Sequence, residues 1–331
     1  MITNKAIQFH KYGGSDVIEI NEIKLQNPKD DEVRFKVTAF ALNRADLLFI
    51  NGHHYTLPEF PSRIGSEATG IVEKIGKNVE NFKIGDTVTT IPFYSSKHGV
   101  QGEYAIIPEK YLTHSPNNLT NIEACSIWMQ YLTPYFALIE IGKVKKGEYV
   151  LVPAASSSAG LGTIQLLKCA GAKIIATTRT KEKAAFLYNS GADHVVIMNE
   201  QSLSDRINEI TNNKGVRLVF DPIGGSFLDN YTDALAKDAI LFIYGLLSGE
   251  VTQVPIVQMV RNNAIIYPYS MFNYVCKPKM LERGKSFILN GINNGHLRPV
   301  VDTVFSFLDT KKAYEYMESN SQKGKIVVEV N

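Results

Sequence analysis

Tyr149-Val-Leu-Val-Pro-Ala-Ala-Ser-Ser-Ser-Ala-Gly-Leu-Gly-Thr-Ile-Gln-Leu-Leu-Lys168 decides the fold. Four apolar residues of strand length run into a stretch of small residues, and an apolar helical segment, Thr163 to Lys168, follows. A turn that grips a dinucleotide needs small residues here, because its backbone must approach the pyrophosphate, whose charge rests on the N-terminus of the helix. In register the glycine fingerprint of such turns becomes Ser157-x-Ala159-x-x-Gly162, with Gly160 beside the middle position. Only Gly162 is literal, so the spacing alone also allows a plain Ser/Ala-rich loop; the strand-turn-helix context favours the phosphate turn. Ser157, Ser158, Ala159, Gly160 and Leu161 are its candidate contacts.

The rhythm around this turn is strand, helix, strand, helix. Strand candidates are Tyr149–Val152, Lys173–Thr177, His194–Met198, Arg217–Phe220, Ala239–Tyr244 and Ala264–Tyr267, with helices expected at Lys181–Ser190 and Ser226–Lys237. Near-continuous apolar strands between helices predict a doubly wound parallel sheet covered on both faces. Before residue 120 the pattern differs: Lys5–Phe9, Val17–Ile23, Glu32–Val37 and Gly70–Ile75 read as short strands broken at Gly13-Gly14, Asn27-Pro28 and Gly76. A β-rich module therefore precedes an α/β one. The C-terminal region adds a helix near Lys311–Glu318 and a strand, Lys325–Val330.

At the end of the second α/β strand, an enzyme that prefers NAD places an acid on the ribose 2′-hydroxyl. This chain has Thr178 there, followed by Arg179 and, one turn on, Lys183. With no carboxylate to repel a 2′-phosphate and two cations to receive one, the expected cofactor is NADPH. The competing reading makes Arg179 and Lys183 solvated charges at a helix start.

Composition narrows the rest. A length of 331 residues with 44% hydrophobic content supports two cores, and 35 Lys+Arg against 33 Asp+Glu give a net charge of +2, which offers no general surface to nucleic acid or anionic lipid. The most apolar run, Ala239 to Leu247, is too short for a membrane span, and the first ten residues lack a secretory pattern. Three cysteines, Cys125, Cys169 and Cys276, make neither a disulfide framework nor a thiolate zinc lobe. A soluble, cytoplasmic protein is expected.

In order and spacing, Ala41-Leu-Asn-Arg-Ala-Asp46, Gly65-Ser-Glu-Ala-Thr-Gly-Ile-Val72, Phe82-Lys-Ile-Gly-Asp-Thr-Val88, Gln130-Tyr-Leu-Thr-Pro-Tyr135, the phosphate turn, Asp221-Pro-Ile-Gly-Gly225 and Tyr244-Gly245 resemble the medium-chain dehydrogenase/reductase superfamily, specifically its zinc-free quinone oxidoreductase, or zeta-crystallin-like, branch. The resemblance covers essentially the whole chain. It implies an α/β protein with a GroES-like β-rich catalytic domain at 1–124 and 269–331, interrupted by a doubly wound Rossmann domain at 125–268. Zinc alcohol dehydrogenases of the superfamily carry a Cys where this chain has Asn43 and a His where it has Ser66, so no metal is expected. His53 and His54 are not taken as ligands.

Without a Lewis acid, the acceptor implied is an activated one, a quinone or an α,β-unsaturated carbonyl. Negative charge developing on its oxygen calls for hydrogen-bond donors. By resemblance, Asn43 donates to substrate or to the nicotinamide ribose, and Tyr55 either donates to the oxygen or lines the pocket as an aromatic wall. Asp46 holds the Asn43 loop; Arg44 is a substrate-side donor or a solvated charge. Thr133 lies near the nicotinamide carboxamide, Tyr244-Gly245 along the cofactor, and Lys325 matches a basic residue that some members direct at it. Met198 replaces a Tyr that relatives stack on adenine. Residues Tyr94–His98 and Tyr267–Tyr274 are expected to shape the pocket, and an edge strand at Ala264–Tyr267 to pair two subunits into a homodimer. The alternatives are an enoyl-thioester reductase on the same fold and a non-catalytic, crystallin-like NADPH binder.

Overall fold

The computed structural model describes residues 2–93, 95 and 97–331, so that Tyr94 and Ser96 of the expected pocket stretch lie outside the described residues. The strands are β1 (Thr3–Phe9), β2 (Glu19–Lys24), β3 (Glu32–Ala41), β4 (Ser62–Arg63), β5 (Ala68–Ile75), β6 (Thr87–Thr90), β7 (Tyr104–Pro108), β8 (Leu112–His114), β9 (Tyr149–Val152), β10 (Lys173–Thr178), β11 (His194–Ile197), β12 (Val216–Asp221), β13 (Leu235–Ile243), β14 (Ile265–Pro268), β15 (Val301–Ser306) and β16 (Lys325–Glu329). They fall into two compact units, Met1–Met129 with Arg298–Asn331, and Gln130–Leu297.

The first unit holds a three-stranded sheet, β2-β1-β4, and a seven-stranded one ordered β15-β16-β3-β5-β6-β8 with β7 also on β3. β3 is its spine: nearly every residue is buried, and Phe35, Val37 and Phe40 pack with Phe9, Val72 and Val328. β5 crosses β3 closely at Gly70, where a Cβ would stand 2.2 Å from the Lys36 carbonyl. β16 arrives from the far end of the sequence to pair antiparallel with β3, Val327 opposite Ala41. This is the β-rich module that the strand pattern predicts, completed by the C-terminal strand.

The second unit is the predicted doubly wound sheet, ordered β11-β10-β9-β12-β13-β14 and parallel throughout. Its strands are apolar on both faces; Val150, Leu151, Val152, Ile174, Ile175 and Ala176 are inaccessible to solvent. The chain winds outward one way from β9 through β10 to β11 and the other way from β12, so a switch point lies between β9 and β12. Ligands of such sheets bind beyond the carboxyl ends of the strands at this point.

One expectation is corrected. The segment Ser226–Lys237 is not an α-helix: short 3-10 turns occupy Gly225–Asn230 and Thr232–Ala234, and β13 already begins at Leu235. Leu228 and Tyr231 are pinned in the core, with the Tyr231 hydroxyl donating to the buried Asp221 carboxylate at 2.9 Å, which fixes the chain before a helix can develop. The two compact units divide at 129/130 and 297/298. Cys125 packs with Ala39, Ala41 and Val327, and Trp128 Nε1 donates to Thr89 Oγ1 at 2.8 Å, so residues 125–129 stay with the first unit. Helix Pro278–Asn293 belongs to the second: Arg283 forms a two-point ion pair with Glu140 at 2.7 and 2.9 Å, Phe287 meets Tyr135, and Gly284 lets the helix backbone close on Leu132. Among the described residues, no helix is long and apolar enough to cross a membrane.

Candidate functional site

In the second unit the quoted turn follows β9 and opens helix Ser158–Ala170, with Ser157 as its N-cap. The Ser157 hydroxyl accepts from the Gly160 N–H at 3.1 Å, and Leu161 N–H bonds to the Ser157 carbonyl at 2.9 Å. The N–H groups of Ser158 and Ala159 have no partner among the described residues and, at the positive end of the helix, are free for an anion. A Cβ at Gly160 would lie 2.5 Å from the Ala155 carbonyl, and one at Gly162 would lie 2.5 Å from the Gln130 carbonyl. The first closes the turn and the second lets the helix approach its neighbour; these are the roles glycines play in dinucleotide turns. The cradle thus fits a pyrophosphate.

One strand over, Thr178 ends β10, buried, its hydroxyl held by Thr180 N–H at 3.3 Å. Arg179 is exposed and makes no hydrogen bond or ion pair to a described residue, while Lys183 lies half-buried in the first turn of helix Glu182–Asn189. No carboxylate ends β10. Thr133 is buried, and its carbonyl accepts from the Tyr269 hydroxyl at 2.7 Å. Tyr244 follows β13, ring stacked on Phe220 at 4.0 Å, and burial pushes its phenol up. Gly245 has no room for a Cβ, which would meet the Pro222 carbonyl at 2.4 Å. Tyr267 and Tyr274 share a short hydroxyl contact of 2.5 Å, and burial pushes the Tyr274 phenol up to about 12.

In the first unit three side chains from distant segments meet. Asn43 caps helix Arg44–Ile50, its main-chain N–H donating to Asp46 Oδ2 at 2.8 Å, so Asp46 does hold this loop. The Asn43 amide donates from Nδ2 to Glu67 Oε2 at 3.1 Å, and its Oδ1 accepts from Lys325 Nζ at 2.7 Å. Lys325 also pairs with Glu67 Oε2 at 2.6 Å, and Glu67 Oε1 accepts the Met129 N–H at 2.7 Å. Lys325 and Glu67 are essentially closed to solvent, at 0% and 1% side-chain exposure. The Ser66 hydroxyl is buried and has no hydrogen-bond partner among the described residues. Tyr55, by contrast, is 64% exposed, its ring tilted over His54. Arg44 donates from one guanidinium nitrogen to the Met317 carbonyl at 2.8 Å and to Asn320 Oδ1 at 2.6 Å.

The sequence reading missed Glu67. It lies within the quoted Gly65-Ser66-Glu67, but nothing local marks a glutamate before a strand as the partner of a lysine 258 positions away. Among the described residues no three His, Cys, Asp or Glu side chains stand together as a metal site. At the two positions where zinc relatives carry Cys and His, this chain presents an amide already bonded to an ammonium, and a hydroxyl.

Residues 29–117 match the alcohol dehydrogenase GroES-like domain family, and residues 159–286 the zinc-binding dehydrogenase family. The chain is 29% identical over 326 residues to a quinone oxidoreductase of Salmonella typhimurium, covering 96% of this chain and 97% of that protein. It is 28% identical over 330 residues to a 2-haloacrylate reductase of a Burkholderia species, covering 98% of each. Among solved structures, Escherichia coli quinone oxidoreductase complexed with NADPH superimposes with a TM-score of 0.90 at 28% identity, over 98% of this chain and 99% of that one.

Beside Asn43's helix, burial holds the His54 imidazolium down to about 4. In the unfolded chain the group protonates near 6.5, so between these values the unfolded state binds more protons. The stabilisation from neutral His54 is therefore complete above about pH 6.5 and is withdrawn as pH falls toward 4. Melting temperatures measured from pH 7 to 4 should fall more steeply for the native chain than for His54→Phe; equal slopes would contradict this assignment.

Proposed function

The chain belongs to the medium-chain dehydrogenase/reductase superfamily, in its quinone oxidoreductase branch, and from that membership we infer that it reduces a quinone or an α,β-unsaturated carbonyl with NADPH and without zinc. The observation that carries this reading is the donor set around Asn43: an amide already bonded to an ammonium, and the Ser66 hydroxyl, stand where zinc enzymes offer a thiolate and an imidazole. A cation is already bonded to the oxygens that a metal would need, so the residues present do not fit zinc.

Bound NADPH would supply a hydride. The residues of this chain do the rest. Ser158 and Ala159 N–H groups, in the turn of Ser157, Gly160 and Leu161, hold the pyrophosphate. Arg179, with Thr178 and Lys183, receives the 2′-phosphate, since no carboxylate repels it. Thr133 and the Tyr244-Gly245 turn line the nicotinamide side. Asn43 donates an amide N–H toward the substrate oxygen or the ribose. Tyr55 is a second donor or an aromatic wall; its exposed ring supports either role. The reduced quinone takes its protons from water. The Burkholderia relative's name specifies an alkene conjugated to a carboxylate, which supports activated alkenes as a second acceptor class. Three free cysteines support a reducing cytoplasmic setting.

A homodimer is part of the proposal. β14 is the edge of the parallel sheet, and Val251, Val257, Val260 and Ile265 on and before it are 88, 64, 76 and 53% exposed. Exposed apolar groups beside an unpaired edge invite a second copy.

Three outcomes test these statements. Purified protein should oxidise NADPH with 9,10-phenanthrenequinone or an enone panel, keep its rate after chelation, and hold less than stoichiometric zinc; NADPH binding without turnover would favour the non-catalytic reading. Arg179→Ala should raise the KM for NADPH about tenfold while leaving that for NADH nearly unchanged, as loss of one charge-assisted contact requires. Val260→Glu with Ile265→Lys should convert a dimer into a monomer by analytical ultracentrifugation; a native chain that sediments as a monomer at micromolar concentration removes the dimer.

A further inference from the structure

An asparagine amide has two faces of opposite character, and crowding alone rarely decides which way it points. Around Asn43 the choice is forced. Lys325 carries only donors, so it demands Oδ1; the Glu67 carboxylate carries only acceptors, so it demands Nδ2. The pair is closed to solvent and is tied to the main chain at Met129 N–H, so neither group can drift to a water partner. Of the two Nδ2 hydrogens one is spent on Glu67, and the other has no partner among the described residues. Asn43 is 6% exposed, and this remaining N–H is the side-chain donor left for a ligand.

We propose that Lys325 and Glu67 are positioning residues that lock the Asn43 amide with one N–H presented to the substrate, Lys325 acting through Asn43 rather than on a cofactor phosphate. This inference rests on the function proposed above and adds to it. The lock also polarises its target: an ammonium on Oδ1 draws electron density through the amide and strengthens the outward N–H as a donor. Because Glu67 cancels the ammonium charge, the trio offers a directed dipole without a net charge. A neutral site of this kind stabilises charge developing on a substrate oxygen without attracting anions indiscriminately.

The test compares Asn43→Ala, the double variant Lys325→Met with Glu67→Gln, and the triple combination. Both charges are removed together because a single deletion strands the other in the interior, whereas a neutral pair is tolerated. Thermal melts, NADPH dissociation constants from fluorescence titration without acceptor, and steady-state kinetics are read for each. Positioning predicts that the double variant melts within a few degrees of the native protein, binds NADPH within about twofold, and loses about a hundredfold in kcat, the scale of a misplaced group. The triple variant should be no slower than Asn43→Ala alone, since the pair acts only through the amide. A double variant with native kcat, a tenfold rise in its NADPH dissociation constant, or losses that multiply in the triple variant would each overturn the proposal. If the native protein binds NADPH and reduces nothing, the function reading fails by itself. The lock is then judged from the Asn43 side-chain amide resonances: two distinct, slowly exchanging protons in the native chain that collapse toward exposed-amide values in the double variant support it, and unchanged resonances refute it.

Discussion

An ammonium with no access to water has to be neutralised where it sits, and the first unit is arranged around that requirement. Lys325 begins β16, and its charge can be met only if β16 lies against β3, which brings residue 325 beside residues 43 and 67. The hydrogen bonds that result span 282 and 258 positions of sequence. Moving β16 by one register step would carry the lysine to the opposite face of the sheet and leave Glu67 buried and unpaired, an outcome that costs several kcal/mol. Register, ion pair and amide orientation therefore stand or fall together. Arg44 reinforces the same join by bonding to Met317 and Asn320, which lie just before β16 in the chain.

Cys125 shows how the same surroundings silence a thiol. It is buried among Ala39, Ala41 and Val327, near enough to Glu67 and Lys325 to feel both charges. Burial pushes the thiol well up, Glu67 adds to the rise, and Lys325 offsets only part of it. A thiolate, the form that binds metal or attacks an electrophile, is thus disfavoured in the interior where a metal relative would place its charge. Cys169 and Cys276, the exposed cysteines, lie in the other unit.

The features legible in the sequence are those whose cause is local. The phosphate turn is one, because a strand, a run of small residues and a helix are contiguous, and the steric need for Gly160 and Gly162 is met within a few residues or by the adjoining helix. The end of β10 is another, since Thr178 closes the strand where no carboxylate stands. Several features that depend on distant partners are not marked locally. Ser226–Lys237 has helical composition, yet the Tyr231 contact with Asp221 overrides it. Helix Pro278–Asn293 carries no mark of the unit it joins; Arg283 meets Glu140 from 143 positions away. Lys325 is named in the sequence only through resemblance to a basic residue directed at the cofactor; that it is enclosed beside Glu67 is visible only in the assembled sheet.

The route of the chain has a consequence for how the protein is made. β16 is synthesised after the whole of the Rossmann unit, so on the ribosome the β-rich module is left with an open edge at β3 while the 168 residues of Gln130–Leu297 emerge and settle. During that interval β3 lacks its neighbour, and Glu67 lacks its cation. The parallel sheet, by contrast, draws all its strands from one contiguous stretch of sequence and can form without waiting for the C-terminus. Docking of β16 then closes the edge and completes the Asn43 site in one event, so incompletely folded chains do not carry a half-built donor site into the cell.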